Sequence, residues 1–172
     1  MKPRVGISSC LLGQPVRYDG GHKREASILE TLGPLVEWVP VCPEIDIGLG
    51  VPRPPIDLRQ TSRGITLVMP ETGRDLTAEM RAYAGKKVAA LAAMQLSGYV
   101  LKSKSPSCGL GSTKVYDEHG SLLHRQGTGV FAAVLKERHP DLPVEEESAL
   151  THPDRLRTFI DKVFAYGSGR NR

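Results

Sequence analysis

No stretch of this sequence approaches the roughly 20 consecutive apolar residues that a membrane-spanning helix requires. The opening MKPRVGISSC also lacks the apolar segment of a secretion signal. These absences point to a cytoplasmic protein with no membrane association. Internal repeats, linkers and low-complexity segments are missing too, and 172 residues suit one domain with a sizeable core. Hydrophobic residues at 40% and charged residues at 24% are ordinary globular usage, which excludes a fibrous repeat and wholesale disorder. A net charge of +4 is a mild bias toward anionic partners, either phosphorylated metabolites or nucleic acid.

Cysteine is scarce. Cys10, Cys42 and Cys108 are the only three, an odd number without a secretion signal, which argues against a disulfide framework. No CxxC and no nearby histidine pair accompanies them, so zinc-ribbon and zinc-finger spacings are absent. The histidines, His22, His119, His124, His139 and His152, are scattered, and none is assigned a metal.

What is present alternates between strand and helix patterns. Arg4 to Ser8 reads as a short buried strand, and Glu37 to Val41 as a second that stops near Pro40. Between them, Ile28, Leu29, Leu32, Leu35 and Val36 mark one face of a helix within His22 to Val36. CPEIDIGLGVPRPP is too rich in Pro and Gly for regular structure and reads as a long loop. Ile65 to Met69 is a third strand. Met80, Tyr83, Ala84, Val88 and Leu91 then make the stripe of a helix over about Leu76 to Leu96, which Gly98 ends.

Tyr99 to Lys102 is the next strand, followed by a hairpin of Lys114 to Tyr116 with Ser121 to His124. A helix spans Val130 to Arg138, and LPVEE supplies a last strand. A capping-box-like Thr151 and Asp154 open a final helix carrying Leu156, Phe159, Ile160, Val163 and Phe164, with a frayed tail over Gly167 to Arg172. Strands alternating with amphipathic helices imply an α/β fold, a doubly wound, Rossmann-like and mostly parallel sheet in a single domain.

In such a sheet, ligands bind beyond the C-terminal ends of the strands. Cys10, Cys42 and Cys108 each follow a predicted strand and therefore share one edge. Convergent thiolates suit zinc or an iron–sulfur cluster, and the missing zinc spacings favour the cluster. A 4Fe-4S cluster ordinarily takes four cysteines, so three leave one iron open to a substrate.

Ser8, Ser9, Ser105 and Ser107 could donate to cluster sulfides, although turn capping is the commoner explanation for each of them. Glu44 is the carboxylate best placed for proton transfer, or else it pairs with a nearby arginine. Arg17, Arg53, Lys102 and Lys104 lie on the same edge and could hold a phosphate or nucleobase. Gly127 to Gly129, before a helix, is a tight turn or a weak anion site.

The segments VGISSCLLGQPVRYDGGHK, VCPEIDIGLGVPRPP, GRDLT, LKSKSPSCGLGSTKVYD and GTGVFAA resemble, in order from about Val5 to Leu135, the DUF523 family, whose characterised members are thiouracil desulfidases. The resemblance implies a 4Fe-4S cluster on three cysteines, here Cys10, Cys42 and Cys108, whose unique iron takes sulfur from a thiolated uracil. It implies a catalytic glutamate at Glu44 and a catalytic serine matching Ser103, with Ser105 and Ser107 in the same loop.

Family members also occur fused to a domain associated with tRNA desulfuration. This chain has no room for one, so 4-thiouracil, 2-thiouracil or 4-thiouridine monophosphate is expected as substrate ahead of tRNA, with no obligate protein partner. Two rivals stand beside this reading. A zinc hydrolase of a nucleobase would lack the H-x-E and PCxxC pair of the deaminases. A non-catalytic nucleotide- or RNA-binding module would lack the aromatic pattern of an RNA-recognition sheet.

Overall fold

Strand β1 (Arg4–Ser8) is buried from Val5 onward and forms the spine of the molecule in the computed structural model, which describes residues 1–169. It pairs in parallel with β2 (Glu37–Val41) on one side and β6 (Gly98–Leu101) on the other. Strand β9 (Val144–Glu146) extends β6, again in parallel. The four-stranded order is β2-β1-β6-β9. All four strands run the same way, so their C-terminal ends lie along one edge.

Alternation of side chains divides the core between the two faces of this sheet. Val5, Ile7 and Val100 pack with Ile28 and Leu32 of α1 (Ala26–Leu32) and with Phe159 and Val163 of α6 (Pro153–Gly169). On the other face, Val41, Tyr99 and Leu101 meet Ala84, Val88 and Leu91 of α3 (Thr77–Ala93), and Phe131 and Leu135 of α4 (Val130–Arg138). Burial of each large side chain contributes roughly 1.5–3 kcal/mol, and both faces are covered, as the doubly wound α/β pattern requires.

A second sheet, of order β5-β4-β3-β7-β8, is mixed rather than parallel. The expected strand at Ile65 to Met69 is β4 (Gly64–Met69), and the expected hairpin is β7 (Leu110–Tyr116) with β8 (Leu122–Thr128). Strands β3 (Asp57–Thr61) and β5 (Arg74–Asp75) give no sequence signal: only Leu58 of β3 is buried, and both residues of β5 are exposed. Leu58, Leu67, Met69 and Val115 of this sheet pack on Met80 of α3 and Val130 of α4.

Several boundaries differ from expectation. The first helix is shorter and closes in a 3-10 turn over Gly33–Leu35. Gly98 opens β6 instead of ending α3. The long loop after Cys42 contains a single helical turn, α2 (Pro43–Asp46). Thr151 does not cap α6: its hydroxyl donates to the Ser148 carbonyl at 2.9 Å and closes the short α5 (Glu147–Leu150). Helix α6 continues through the expected frayed residues Gly167 to Gly169, and the rest of the expected tail lies outside the described residues. No helix among the described residues is long and apolar enough to cross a membrane.

Candidate active site

The strand ends deliver the site in the order of the sheet. Cys42 directly follows β2, Cys10 sits in the 3-10 turn Ser9–Leu12 after β1, and Cys108 lies in the loop between β6 and β7. All three are free thiols and line one cavity of about 580 Å³, within the range of small-molecule sites. Ser8, Ser9, Glu44, Arg17, Arg53, Lys102, Ser103, Lys104 and Ser105 line the same cavity. Burial raises all three thiol pKa values: Cys10 to about 11, opposed chiefly by the Lys102 and Arg17 charges; Cys42, opposed by the Ile45 N–H; and Cys108, opposed by the Ser8 hydroxyl. Desolvation penalises each thiolate.

The Cys108 loop is held from below by helix α4. Its first amides do not face the cavity: Gly129 N–H donates to the Gly109 carbonyl at 2.7 Å, Val130 N–H to Pro106 at 3.1 Å and Ala132 N–H to Ser107 at 3.1 Å. The approach is close enough that a Cβ on Gly129 would stand 2.3 Å from the Ser107 carbonyl carbon. Gly127 and Thr128 belong to β8 and Gly129 caps α4, so GTG serves as the seat of this loop and leaves no anion site.

Two carboxylates flank the thiols. Glu44 Oε1 accepts from Arg53 Nε at 3.0 Å and Glu44 Oε2 from the fully buried Ser107 hydroxyl at 2.8 Å. Arg53 also donates to the Gly50 and Val16 carbonyls, each at 2.8 Å, which leaves it tying three segments together. Glu44 lines the cavity and forms the arginine pair, the second of its two expected parts.

The second carboxylate, Glu147, was not anticipated. It follows β9 directly, is buried, and accepts from the Ser103 hydroxyl at 2.6 Å, the Ser103 N–H at 2.7 Å and Lys102 Nζ at 3.1 Å. The strand-end argument that selects the cysteines, applied to LPVEE, would have found it.

The remaining expected residues take different parts. Lys102 Nζ donates to Glu147, to the Ser103 carbonyl at 2.8 Å and to Ser103 Oγ at 3.2 Å, which occupies the three donors of an ammonium. Ser8 Oγ accepts from Lys102 N–H at 2.9 Å. Ser105 caps the turn, accepting from the Ser107 and Cys108 amides at 3.2 and 3.0 Å. Ser9 is buried at the cavity wall. Arg17 lies over the Tyr18 ring, and Lys104 is exposed at a positive φ of 64°; these two keep charge at the rim.

The donor set fits a metal–sulfur group. Three soft sulfur side chains, those of Cys10, Cys42 and Cys108, line one cavity. Tyr99 adds a second observation. Its ring is fully buried in the core that holds Cys108, and among the described residues its hydroxyl has no hydrogen-bond partner. A buried donor of that kind calls for an acceptor, and its electrostatic neighbours are Cys108, Tyr83, Cys42 and Asp46.

Comparison with known proteins agrees with this chemistry. The chain is 32% identical over 136 residues, 76% of its length and 88% of the relative's, to the uncharacterized protein YbbK of Bacillus subtilis (strain 168). The solved structure of the [4Fe-4S]-dependent thiouracil desulfidase TudS superposes with a TM-score of 0.69 at 35% identity, covering 87% of this chain and 94% of that one. A family profile described as 2-thiouracil desulfurase matches residues 5–147, a span that begins inside β1 and ends on Glu147. The chain belongs to the 2-thiouracil desulfurase family.

Proposed function

We propose that this chain is an iron–sulfur-dependent desulfidase that hydrolyses the carbon–sulfur bond of a thiolated uracil, acting as one cytoplasmic domain. The observation that carries the reading is the convergence of Cys10, Cys42 and Cys108 with Glu44 on one strand edge. Family membership and the likeness to TudS support it. The three cysteines would hold a 4Fe-4S cluster with one iron free of protein thiolate. When bound, such a cluster supplies a Lewis acid that polarises the thiocarbonyl and accepts its soft sulfur.

The protein's own residues account for the protons. The water oxygen bonds to the ring carbon as the carbon–sulfur bond breaks, and no electrons are exchanged. Glu44, fixed by Arg53 and Ser107, accepts one water proton and returns it to the departing hydrosulfide, while the other leaves on sulfur. The products are a uracil and hydrogen sulfide. Arg17 and Lys104, at the rim, suit the phosphate of a thiouridine monophosphate, and free 4-thiouracil or 2-thiouracil fits the same wall. The cavity, of about 580 Å³, has the volume of a small-molecule site, so such compounds are favoured over tRNA.

Anaerobic purification followed by iron and sulfide analysis, then sulfide release from 4-thiouracil and 4-thiouridine monophosphate, tests the reading. The expected result is a brown protein that releases sulfide from at least one of them. A fully loaded protein that releases none overturns the substrate, and a Cys108→Ala protein with undiminished iron overturns the ligand set.

A further inference from the structure

We infer that Glu147 is a positioning residue that fixes Ser103 as a hydrogen-bond acceptor, and that the cavity thereby selects pyrimidines carrying a ring N–H beside the reacting carbon. The inference rests on the proposed function, because it takes a pyrimidine as the ligand. A hydroxyl has one donor and two acceptor sites. The Ser103 proton is committed to Glu147 Oε1 at 2.6 Å, a charge-assisted bond. Lys102 Nζ donates to the same hydroxyl oxygen at 3.2 Å, which uses one acceptor site. One acceptor site remains for a ligand.

The arrangement leaves no freedom to reverse. Glu147 Oε2 accepts the Ser103 amide at 2.7 Å, so the carboxylate grips main chain and side chain of one residue together. Lys102, with all three donors in use, cannot take over the proton-donor role toward the ligand. Ser103, Lys102 and Glu147 all line the cavity, and Ser103 and Glu147 are almost entirely buried, so bulk water does not blur the polarity they present.

In uracil-type rings the nitrogen between the two carbonyl or thiocarbonyl carbons bears hydrogen, in the free base and the nucleotide alike. In cytosine-type rings that nitrogen is a lone-pair acceptor of nearly the same shape. An acceptor at Ser103 binds the first and repels the second, and a mismatch between buried polar groups is the kind a site rejects strongly.

The test is a binding measurement, so it does not depend on turnover. Calorimetry with uracil and with cytosine, on cluster-loaded protein, is expected to show about a tenfold or greater preference for uracil. Ser103→Ala removes the acceptor and should bring the two ligands close to equal. Glu147→Gln removes the negative charge that commits the Ser103 proton and sets an amide N–H against the Ser103 amide or hydroxyl, so it should reduce the preference, with unchanged iron content. The double variant should discriminate no less than Ser103→Ala, because both changes act through one hydroxyl.

Equal binding of uracil and cytosine by the wild-type protein, including no measurable binding of either, overturns the inference. So does an undiminished preference in Glu147→Gln, or two losses that multiply. Should Glu147→Gln fail to fold, a preference retained in Ser103→Ala is sufficient to reject it. Failure of the desulfidase reading shows separately, as absent sulfide release from 4-thiouracil by loaded wild-type protein.

Discussion

Glu44 and Glu147 stand at the two ends of one strand edge, the first after β2 and the second after β9. Each is bonded to one cation and one serine. Their environments nevertheless differ in the respect that decides their chemistry. A carboxylate has about four acceptor sites. Glu44 receives two protein bonds, one on each oxygen, whereas Glu147 receives three, two of them on Oε1.

Glu44 is also the more open of the two, with 16% of its side chain exposed against 9% for Glu147. Its cation is an arginine tied to two backbone carbonyls. The Glu44 unit is therefore held in place with capacity left for water. The Glu147 unit is nearly saturated, with Ser103 between it and the cavity. On the proposed reading, one carboxylate does chemistry and the other sets geometry.

The largest expected effect breaks this comparison if it fails. Glu44→Gln keeps the Arg53 contact through the amide oxygen but cannot take a proton, so turnover should fall by roughly 100- to 10,000-fold with iron content retained. The matching Glu147→Gln change should act mainly on ligand preference. Equal losses of kcat in the two variants would mean that the carboxylates share one task.

Next in size is Gly129→Ala, which perturbs the support that both units share. Ser103 and Ser107 lie on the loop that α4 holds by its first amides, and a Cβ at Gly129 would collide with the Ser107 backbone, which has nowhere to retreat. Urea unfolding should show destabilisation of about 1–3 kcal/mol, with weaker iron retention. An unaltered midpoint would show that the loop is held elsewhere.

How far the sequence reveals this site follows from where its residues lie along the chain. The cysteines and Glu44 sit within three residues of a strand end or in a loop rich in Ser and Pro, so local pattern exposes them. The parallel sheet is equally plain, because Val5, Ile7, Tyr99, Val100 and Leu101 form short apolar runs. Glu147 is 44 residues from Ser103, whose hydroxyl it accepts, and follows a strand that looks like an acidic surface stretch. Arg53 and Lys102 read as substrate cations because charge is visible in sequence while its bonding is not: Val16 and Gly50, which hold Arg53, come from separate loops. The second sheet is obscure for another reason. Strand β8 is exposed over its first five residues, and a strand with one solvated face and few apolar residues gives a weak period-two signal.

The smallest predicted effect distinguishes orientation from proton transfer within the Glu44 unit. Ser107 is fully buried and its hydroxyl donates to Glu44 Oε2 at 2.8 Å. Ser107→Ala leaves the Arg53 bond intact and removes the second restraint on the carboxylate plane. A hydrogen bond to a charged group contributes about 1.5–3 kcal/mol, but here Arg53 retains most of the orientation, so kcat should fall by about tenfold. KM and the uracil-over-cytosine preference should stay near wild type, because Ser103 and Glu147 are untouched. A Ser107→Ala protein that loses the ligand preference while keeping kcat would reverse the assignment, placing recognition on the Glu44 side and catalysis on the Glu147 side.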